Sequence, residues 1–145
     1  MIHEIRVIFG DTDQMGVVYY ANYLRFFEAA RAAFWRSLGK SYRDLEACGV
    51  ALPVIAAHCE YRAPARYEDL LEVDVDLIEL RHASMRFGYK VRCEGRLLAE
   101  GYTRHAVIDA KDGRPKVLPG SLREALDARP GASGSEVADT ALRGS

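Results

Sequence analysis

The sequence has no long apolar run, few cysteines and almost no net charge, and each absence narrows the possible functions. Nowhere in the 145 residues do about 18 apolar residues follow one another, as a membrane-spanning helix would need, and the first residues lack the apolar stretch of a signal peptide. The net charge is −1, which gives no overall indication of nucleic-acid binding. We therefore expect a cytoplasmic protein with neither an integral membrane segment nor a nucleic-acid partner.

The cysteines and histidines show no pattern of a disulfide framework or a metal site. Cys48, Cys59 and Cys93 are odd in number and form no CxxC pair, so we expect free thiols in a reducing compartment. Cys59 and Cys93 fall on apolar faces of predicted strands, which places them in the predicted core. The four histidines are scattered without ligand spacing, and we predict no bound metal.

The hydrophobic pattern predicts one long helix and a run of strands. Residues 2–9 alternate in hydrophobicity and are predicted as the first strand. Apolar residues recur at helical spacing over about residues 21–38, with Gly39 placed to end this helix and Ser41 to cap a short second one. After residue 51 the apolar period becomes two, which is typical of strands. The apolar faces of the next three predicted strands consist of Ile55, Ala57, Cys59 and Tyr61, then Leu71, Val73, Val75 and Leu77, then Met85, Phe87, Tyr89, Val91 and Cys93.

Turn signals and composition complete the predicted topology. Gly95-Arg96 is a two-residue hairpin signal, and the last long strand is predicted from Leu97 to Ile108. A helical turn is predicted from Ser121 to Leu126. Residues 129–145 are rich in Gly, Ala and Ser, so they are predicted to be a flexible tail behind a single domain of residues 1–128.

These elements predict an α+β protein. Since no helix-length segment separates the later strands, we expect an antiparallel meander of about five strands that wraps round the long helix. Such a sheet has an exposed edge, and the alternation of Tyr102, Ala106 and Ile108 indicates a partly apolar outer face. Both features favour a homo-oligomer.

Two carboxylates, Asp11 and Asp13, lie in the segment between the first strand and the long helix. A calcium loop would need oxygen ligands where Met15 stands and a glutamate where Asn22 stands, so calcium is not expected. A phosphatase with an Asp-x-Asp strand end needs repeated βαβ units, which the run of strands contradicts. A purely structural alternative stays open, in which Asp11 starts a turn and Asp13 caps a turn or the helix.

The longer string around these carboxylates resembles the active-site signature of hotdog-fold acyl-CoA thioesterases. The matching pattern is D-T-D-x-x-G-x-V-Y-Y-x-N-Y over residues 11–23, followed by an aromatic and Ala-rich helix. A second match, E-Y-x-A-P-A-R-x-x-D-x-L, covers residues 60–71, and a third lies at Ser84. The resemblance covers about residues 3–126, in the branch that contains 4-hydroxybenzoyl-CoA thioesterase and the Tol-Pal-associated bacterial acyl-CoA thioesterase.

The resemblance implies a site and a reaction. Asp13 would be the catalytic carboxylate, the backbone amide of Tyr20 would polarise the thioester carbonyl, and Gly16 would let the backbone approach the substrate closely. Asp13 would act either as a nucleophile that forms a mixed anhydride or as a general base on water, and the sequence leaves both routes open. No cofactor is implied, because CoA is part of the substrate. The expected assembly is a homodimer or a homotetramer built as a dimer of dimers.

Further residues are assigned to substrate binding, partly from the motifs and partly from charge. Asp11 is expected to support the loop rather than to act as a second acid. Basic residues on the polar face of one predicted strand would attract the CoA phosphates, although a solvated strand face explains them equally well. The substrate-binding set comprises Val18, Tyr19, Asn22, Arg62, Pro64, Ser84, Arg86 and Lys90.

Two other functions remain open at the level of the sequence. A hydratase or dehydratase of an acyl thioester would generally need a proton shuttle such as an Asp-His pair, and no histidine accompanies the Asp13 loop. A non-catalytic acyl-CoA-binding or scaffold protein would bind the same ligand without turnover. The resemblance implies Tyr at the position of Tyr20 in the 4-hydroxybenzoyl branch and His there in the Tol-Pal-associated branch. Residues 21–22 and 63–66 do not settle which branch the chain belongs to, so acyl specificity also stays open.

Overall fold

A computed structural model describes residues 1–131 of the chain. Within these residues there are three α-helices and seven β-strands. The helices are α1 (Asn22–Ser37), α2 (Tyr42–Ala47) and α3 (Gly120–Asp127). The strands are β1 (Ile2–Arg6), β2 (Val50–Ala51), β3 (Val54–Tyr61), β4 (Leu70–Leu80), β5 (Ser84–Cys93), β6 (Arg96–Ala106) and β7 (Ile108–Asp109). None of the helices in this part of the chain is long and apolar enough to cross a membrane.

Five strands form one sheet in the order β1, β4, β5, β6, β3, and β2 pairs with β7 separately. The pairing of β1 with β4 is antiparallel, with Ile5 opposite Leu71. Strands β4, β5 and β6 are neighbours in chain order, as the predicted meander requires, but β3 lies beside β6 instead of β4. The predicted meander is therefore wrong at β3, which is an edge strand. Strand periodicity identifies strands and their faces but carries no information about which strands are neighbours.

The segment from 62 to 69 makes the crossover from β3 to β4. At its start, the N–H groups of Arg62 and Ala63 donate to the Leu98 carbonyl of β6, at 2.8 and 3.2 Å. At its end, the Glu68 N–H donates to the carbonyl of Val7, just after β1, at 3.0 Å. The segment thus runs from one side of the sheet to the other.

Packing divides the chain into two compact units, of which the first comprises Met1–Phe34, Ala57–Asp76 and Gly88–Tyr102. In this unit the buried face of α1 lies against β5, where the Phe27 ring stacks on Tyr89 at a centroid distance of 4.2 Å. Arg31 is also buried there and donates to the Tyr89 hydroxyl at 3.1 Å. The predicted aromatic helix face is therefore a core face in this unit.

The second unit comprises Trp35–Ala56, Leu77–Phe87 and the chain from Thr103 onward. Here the buried Trp35 ring meets Phe87 edge-on at 6.1 Å. His105 is fully buried, and its Nδ1 lies 3.0 Å from the Leu52 carbonyl, which can only accept. Its Nε2 lies 2.8 Å from the Thr103 hydroxyl, so both ring nitrogens have hydrogen-bond partners.

The ends of the first two helices follow the prediction. Gly39 adopts a left-handed φ of 76°, and its N–H donates to the Arg36 carbonyl at 2.9 Å. The Lys40 N–H donates to the Trp35 carbonyl at 2.9 Å, so the two bonds satisfy carbonyls that the end of α1 leaves unpaired. Ser41 caps α2, because its hydroxyl accepts from the Asp44 N–H at 3.2 Å. The backbone hydrogen bond from Ser41 lowers the pKa of Asp44.

Two local predictions near strand ends are wrong by a few residues. Strand β1 ends at Arg6 rather than at residue 9, and Phe9–Asp11 form a single 3-10 turn in which Phe9 is 75% exposed. The Asp11 carboxylate accepts from the Ile8 N–H and so bends the chain out of the strand. The hairpin between β5 and β6 turns at Glu94 and Gly95, both with positive φ, and Arg96 already belongs to β6.

The cysteines and the start of the predicted tail also differ from expectation. Cys59 and Cys93 are only half-buried, because β3 is an edge strand and Cys93 is the last residue of β5. Burial nevertheless raises the pKa of both thiols. Arg129, which the prediction places in the tail, is buried and donates to the Leu126 carbonyl. The rest of the predicted tail that lies within 132–145 is outside the described residues.

Gly101 should be intolerant of any side chain. A Cβ at this position would lie 2.0 Å from the carbonyl oxygen of His58 on the neighbouring strand β3. We expect Gly101→Ala to lower the free energy of unfolding by roughly 1–3 kcal/mol, because backbone must move to accept the methyl group. Thermal unfolding measures this effect. Gly120→Ala is the control, since a Cβ there meets nothing within 4 Å, and equal melting temperatures for the two variants would contradict the strand contact.

Candidate active site

The loop between β1 and α1 is held by its own backbone hydrogen bonds. The Asp13 N–H donates to the Val17 carbonyl and the Gly16 N–H donates back to the Asp13 carbonyl, both at 2.9 Å. Gly16 has a φ of 79°, in the left-handed region that residues with a side chain rarely adopt. The Val18 N–H donates to the Ala65 carbonyl at 2.8 Å, which ties the loop to the crossover segment. The loop therefore has a defined shape.

Asp11 connects this loop to the start of α1. Its carboxylate is 4% exposed and accepts from the Ile8 N–H at 3.0 Å and from the Arg25 guanidinium. Its carbonyl accepts from the Tyr19 N–H at 2.9 Å and from the Asn22 side-chain amide at 2.8 Å. These contacts agree with the expected role of Asp11 as loop support.

One carboxylate oxygen of Asp13 accepts a hydrogen bond within a turn, and the other has no hydrogen-bond donor among the described residues. Its Oδ1 accepts from the Met15 N–H at 2.9 Å, which is the local turn that the structural alternative proposed. Within residues 1–131 no donor lies against the second carboxylate oxygen, and the side chain is half-buried. The hydrogen bond between the Tyr19 and Tyr20 side chains raises the pKa of Tyr19, and the Asp13 charge raises it further by a smaller amount. The charge of Asp13 thus acts on Tyr19 at the other end of the loop.

Tyr20 combines an exposed side chain with an unpaired backbone amide. The ring is 61% exposed, and the carbonyl accepts from the Tyr61 hydroxyl at 3.0 Å. In the described part of the chain no acceptor lies against the Tyr20 N–H. Helix α1 begins two residues later at Asn22, and its own first turn contains no acidic residue.

Tyr61 is a residue of this region that sequence reasoning did not assign to the site. It is the last residue of β3, and its ring lies edge-on to Tyr20 at 6.2 Å and to Tyr23 at 5.3 Å. Burial raises the pKa of Tyr61 to about 12. Tyr61 stands in the second sequence match, but 41 residues separate it from Tyr20, so only the tertiary structure shows that they touch.

The predicted substrate-binding residues of the first unit differ in their surroundings. Val18 is buried, whereas Pro64 and Lys90 are exposed. The Asn22 side chain is engaged with the Asp11 carbonyl. The Arg62 guanidinium lies 3.5 and 3.6 Å from the carboxylates of Glu60 and Glu100, so nearby acidic groups compensate its charge.

Ser84 and Arg86 belong to the second unit. The Ser84 carbonyl accepts from the Arg81 N–H at 2.8 Å, which closes the turn between β4 and β5. Arg86 pairs with the largely buried carboxylate of Glu79, and the Arg81 guanidinium lies 3.7 Å from the same carboxylate. The loop and the first residue of α1 thus carry Asp13, Gly16, Val18, Tyr19, Tyr20 and Asn22. The roles of all the predicted site residues, including Ser84 and Arg86, stay predictions.

The structure offers no obvious metal site in the part of the chain that it describes. No group of three or more His, Cys, Asp and Glu side chains is arranged there to hold a metal ion. Asp11 and Asp13 are engaged with backbone N–H groups and with Arg25 instead.

Asp11→Asn should destabilise the protein more than Asp13→Asn. The Asp11→Asn variant loses the ion pair between the nearly buried carboxylate and Arg25. Because the Arg25 side chain is largely exposed, we expect the free energy of unfolding to fall by about 1–2 kcal/mol. Asp13→Asn keeps an oxygen for the Met15 N–H and should leave the melting temperature nearly unchanged. Denaturant unfolding of both variants measures the difference. Equal losses of stability would contradict the assignment of Asp11 as the structural carboxylate.

Comparison with known proteins gives one consistent relationship. A family model described as the thioesterase-like superfamily matches residues 7–126. Acyl-CoA thioester hydrolase YbgC of Escherichia coli is 37% identical over 119 residues, which cover 81% of this chain and 89% of the relative. A protein of known structure from Thermus thermophilus is 40% identical, with a TM-score of 0.82 over 87% of this chain and 96% of the other.

A second solved structure is a named enzyme. The 1,4-dihydroxy-2-naphthoyl-CoA thioesterase of Synechocystis superposes with a TM-score of 0.81 at 26% identity, over 89% of this chain and 98% of the other. The comparisons confirm the predicted α+β hotdog fold and the prediction of a thioesterase enzyme. The chain therefore belongs to the hotdog-fold acyl-CoA thioesterases of the thioesterase-like superfamily.

Proposed function

We propose that the protein hydrolyses an acyl-CoA thioester to a free carboxylate and CoA, with Asp13 and the Tyr20 N–H as the catalytic groups. The observation that carries this proposal is the unpaired Tyr20 N–H at the start of α1, in the same loop as a carboxylate with one available oxygen. The relatives' names support the substrate class, because they include acyl-CoA and 1,4-dihydroxy-2-naphthoyl-CoA hydrolases.

The electrostatics of the loop suit attack on a thioester carbonyl. Negative charge develops on the carbonyl oxygen in the transition state, and a fixed N–H donor beside a positive helix end stabilises it there. The Tyr20 N–H supplies the donor and α1 supplies the helix end. Gly16, which forms the left-handed turn, has no side chain, so the backbone and the thioester can approach each other closely there.

Asp13 acts by one of two routes, and label found in its carboxylate after an isotope experiment would identify the nucleophilic route. As a nucleophile, it forms a bond from a carboxylate oxygen to the carbonyl carbon, the C–S bond breaks, CoA leaves as the thiolate, and water hydrolyses the mixed anhydride. As a general base, it takes a proton from the water that attacks the carbonyl. A single turnover in ¹⁸O-labelled water places the label in the Asp13 carboxylate only if attack is direct and water cleaves the anhydride at Asp13.

Cationic residues on and beside the sheet supply the attraction for the CoA phosphates in this proposal. Lys90 is exposed, and no carboxylate of the described residues lies within 4 Å of its amine. Arg62 and Arg86 are each paired with carboxylates, so their net contribution to an anion site is smaller. Lys90 is therefore the first residue to test for a contribution to KM.

Asp13→Asn should abolish most thioester hydrolysis. We expect kcat to fall by about 100-fold or more, because the amide is neither a nucleophile nor a base of comparable strength. Thiol release is measured across aliphatic and aromatic acyl-CoAs. Asp127→Asn, an exposed change on α3, is the control and should retain full turnover. Undiminished turnover in Asp13→Asn would refute the role of Asp13, and binding without turnover in the unaltered protein would refute hydrolysis.

We further propose that the protein assembles as a homodimer or as a homotetramer built from two dimers. Strand β3 is an edge strand, so one side of its backbone has no partner strand within residues 1–131. Its side chains are mostly exposed, including Ile55 at 58%. A second copy of the chain is the occupant that would pair with this edge. A cytoplasmic location remains a prediction from the sequence.

Ile55→Lys should shift the protein towards monomer. A charged side chain at an exposed apolar position of the edge strand opposes its burial between two copies. Light scattering at micromolar concentration measures the molar mass. Val117→Lys replaces an equally exposed apolar residue outside the strands and should leave the mass unchanged. An unaltered protein that is already monomeric at this concentration would contradict the proposed assembly.

A further inference from the structure

The two peptide groups on either side of the Tyr20 α-carbon are held by hydrogen bonds to their carbonyls. The Tyr19 carbonyl accepts from the Asn22 N–H at 2.9 Å. The Tyr20 carbonyl accepts from the Tyr23 N–H at 3.3 Å and from the Tyr61 hydroxyl at 3.0 Å. Because a peptide group is planar, the hydrogen bond to the Tyr19 carbonyl fixes the direction of the Tyr20 N–H. The hydrogen bonds to the Tyr20 carbonyl fix the next peptide group, and with it the position of the Tyr20 α-carbon to which the Tyr20 nitrogen is bonded.

The hydrogen bond from Tyr61 differs from the others because it comes from outside the loop. The Tyr23 and Asn22 donors are local to the start of α1, whereas Tyr61 is the last residue of strand β3. Edge-on contacts of the Tyr61 ring with the rings of Tyr20 and Tyr23 hold the hydroxyl in place. This hydrogen bond therefore attaches the loop to the end of strand β3 of the sheet.

Tyr61 can serve as a donor throughout the pH range of an ordinary assay. Burial raises its pKa to about 12, above the usual value near 10, so the phenol keeps its proton. A carbonyl can only accept a hydrogen bond, so the phenol donates and the Tyr20 carbonyl accepts. The contact is then a constant restraint on the Tyr20 backbone rather than a pH-dependent one.

We propose that Tyr61 is a positioning residue of the active site: by holding the Tyr20 carbonyl it holds the Tyr20 α-carbon, and thereby keeps the adjoining Tyr20 N–H directed at the substrate carbonyl. This inference rests on the proposed hydrolysis. A preorganised donor stabilises the transition state only if its direction is fixed before the charge develops. Tyr61 itself need not touch the substrate.

Tyr61→Phe tests the proposal in the full-length protein, because it removes the hydroxyl and retains the ring. We expect kcat to fall by about 10-fold, with KM changed by less than about twofold. The reason is that a displaced N–H donor loses interaction energy chiefly in the transition state, where negative charge develops on the carbonyl oxygen. A long-chain S-alkyl-CoA thioether, which lacks the carbonyl, should bind with unchanged Kd. Tyr67→Phe is the matched control, since Tyr67 is also exposed, packs on Phe9, and its hydroxyl has no partner among the described residues.

A second measurement does not depend on activity. In ¹⁵N-labelled protein, Tyr61→Phe should speed hydrogen exchange at the amides of Asn22 and Tyr23, which donate to the Tyr19 and Tyr20 carbonyls, while Tyr67→Phe should not. Unchanged exchange together with a kcat within twofold of the unaltered protein would overturn the proposal. So would a joint change in KM, thioether Kd and melting temperature, which indicates general loosening. If no acyl-CoA is hydrolysed by the unaltered protein, the proposed function fails, and unchanged exchange would then overturn the positioning role separately.

Discussion

The candidate site depends on the nearly buried carboxylate of Asp11. Its oxygens accept from the Ile8 N–H and from Arg25, while its carbonyl accepts from the Tyr19 N–H and the Asn22 side chain. One residue thereby connects the end of β1, the far side of the loop and the first turn of α1. Charge-assisted hydrogen bonds of this kind are among the stronger ones in proteins. They help to fix the loop that carries Asp13 relative to the helix start.

The two aspartates of the loop have different surroundings, which suit the different roles proposed for them. Asp11 is buried and its carboxylate is paired, whereas Asp13 is half-buried and uses one oxygen for the Met15 N–H. A paired carboxylate supports structure, and an oxygen without a donor is available for chemistry. The local turn that Asp13 forms does not compete with the proposed catalytic role, because the turn uses a single oxygen and fixes the orientation of the other.

The exposed edge strand links the fold to both the assembly and the site. Strand β3 begins with exposed apolar residues such as Ile55 and ends at Tyr61, whose hydroxyl reaches the Tyr20 carbonyl. Through this hydrogen bond the last residue of β3 is connected to the backbone just before α1. A second copy that covers β3 would hold the strand in place, so the proposed assembly and the proposed positioning of the Tyr20 backbone act on the same strand.

Local patterns in the sequence determined the elements of this protein, and tertiary contacts decided their arrangement. Helical spacing, the Gly39 stop and the Ser41 cap identified α1 and α2, and period-two faces identified the strands, because these signals act within a few residues. The Asp13 motif located the loop for the same reason. The place of β3 beside β6, the exposure of Phe9, the pairing of Arg86 with Glu79 and the contact of Tyr61 with Tyr20 were not predictable. Each joins or separates groups through the path of the chain in space, which no local pattern encodes.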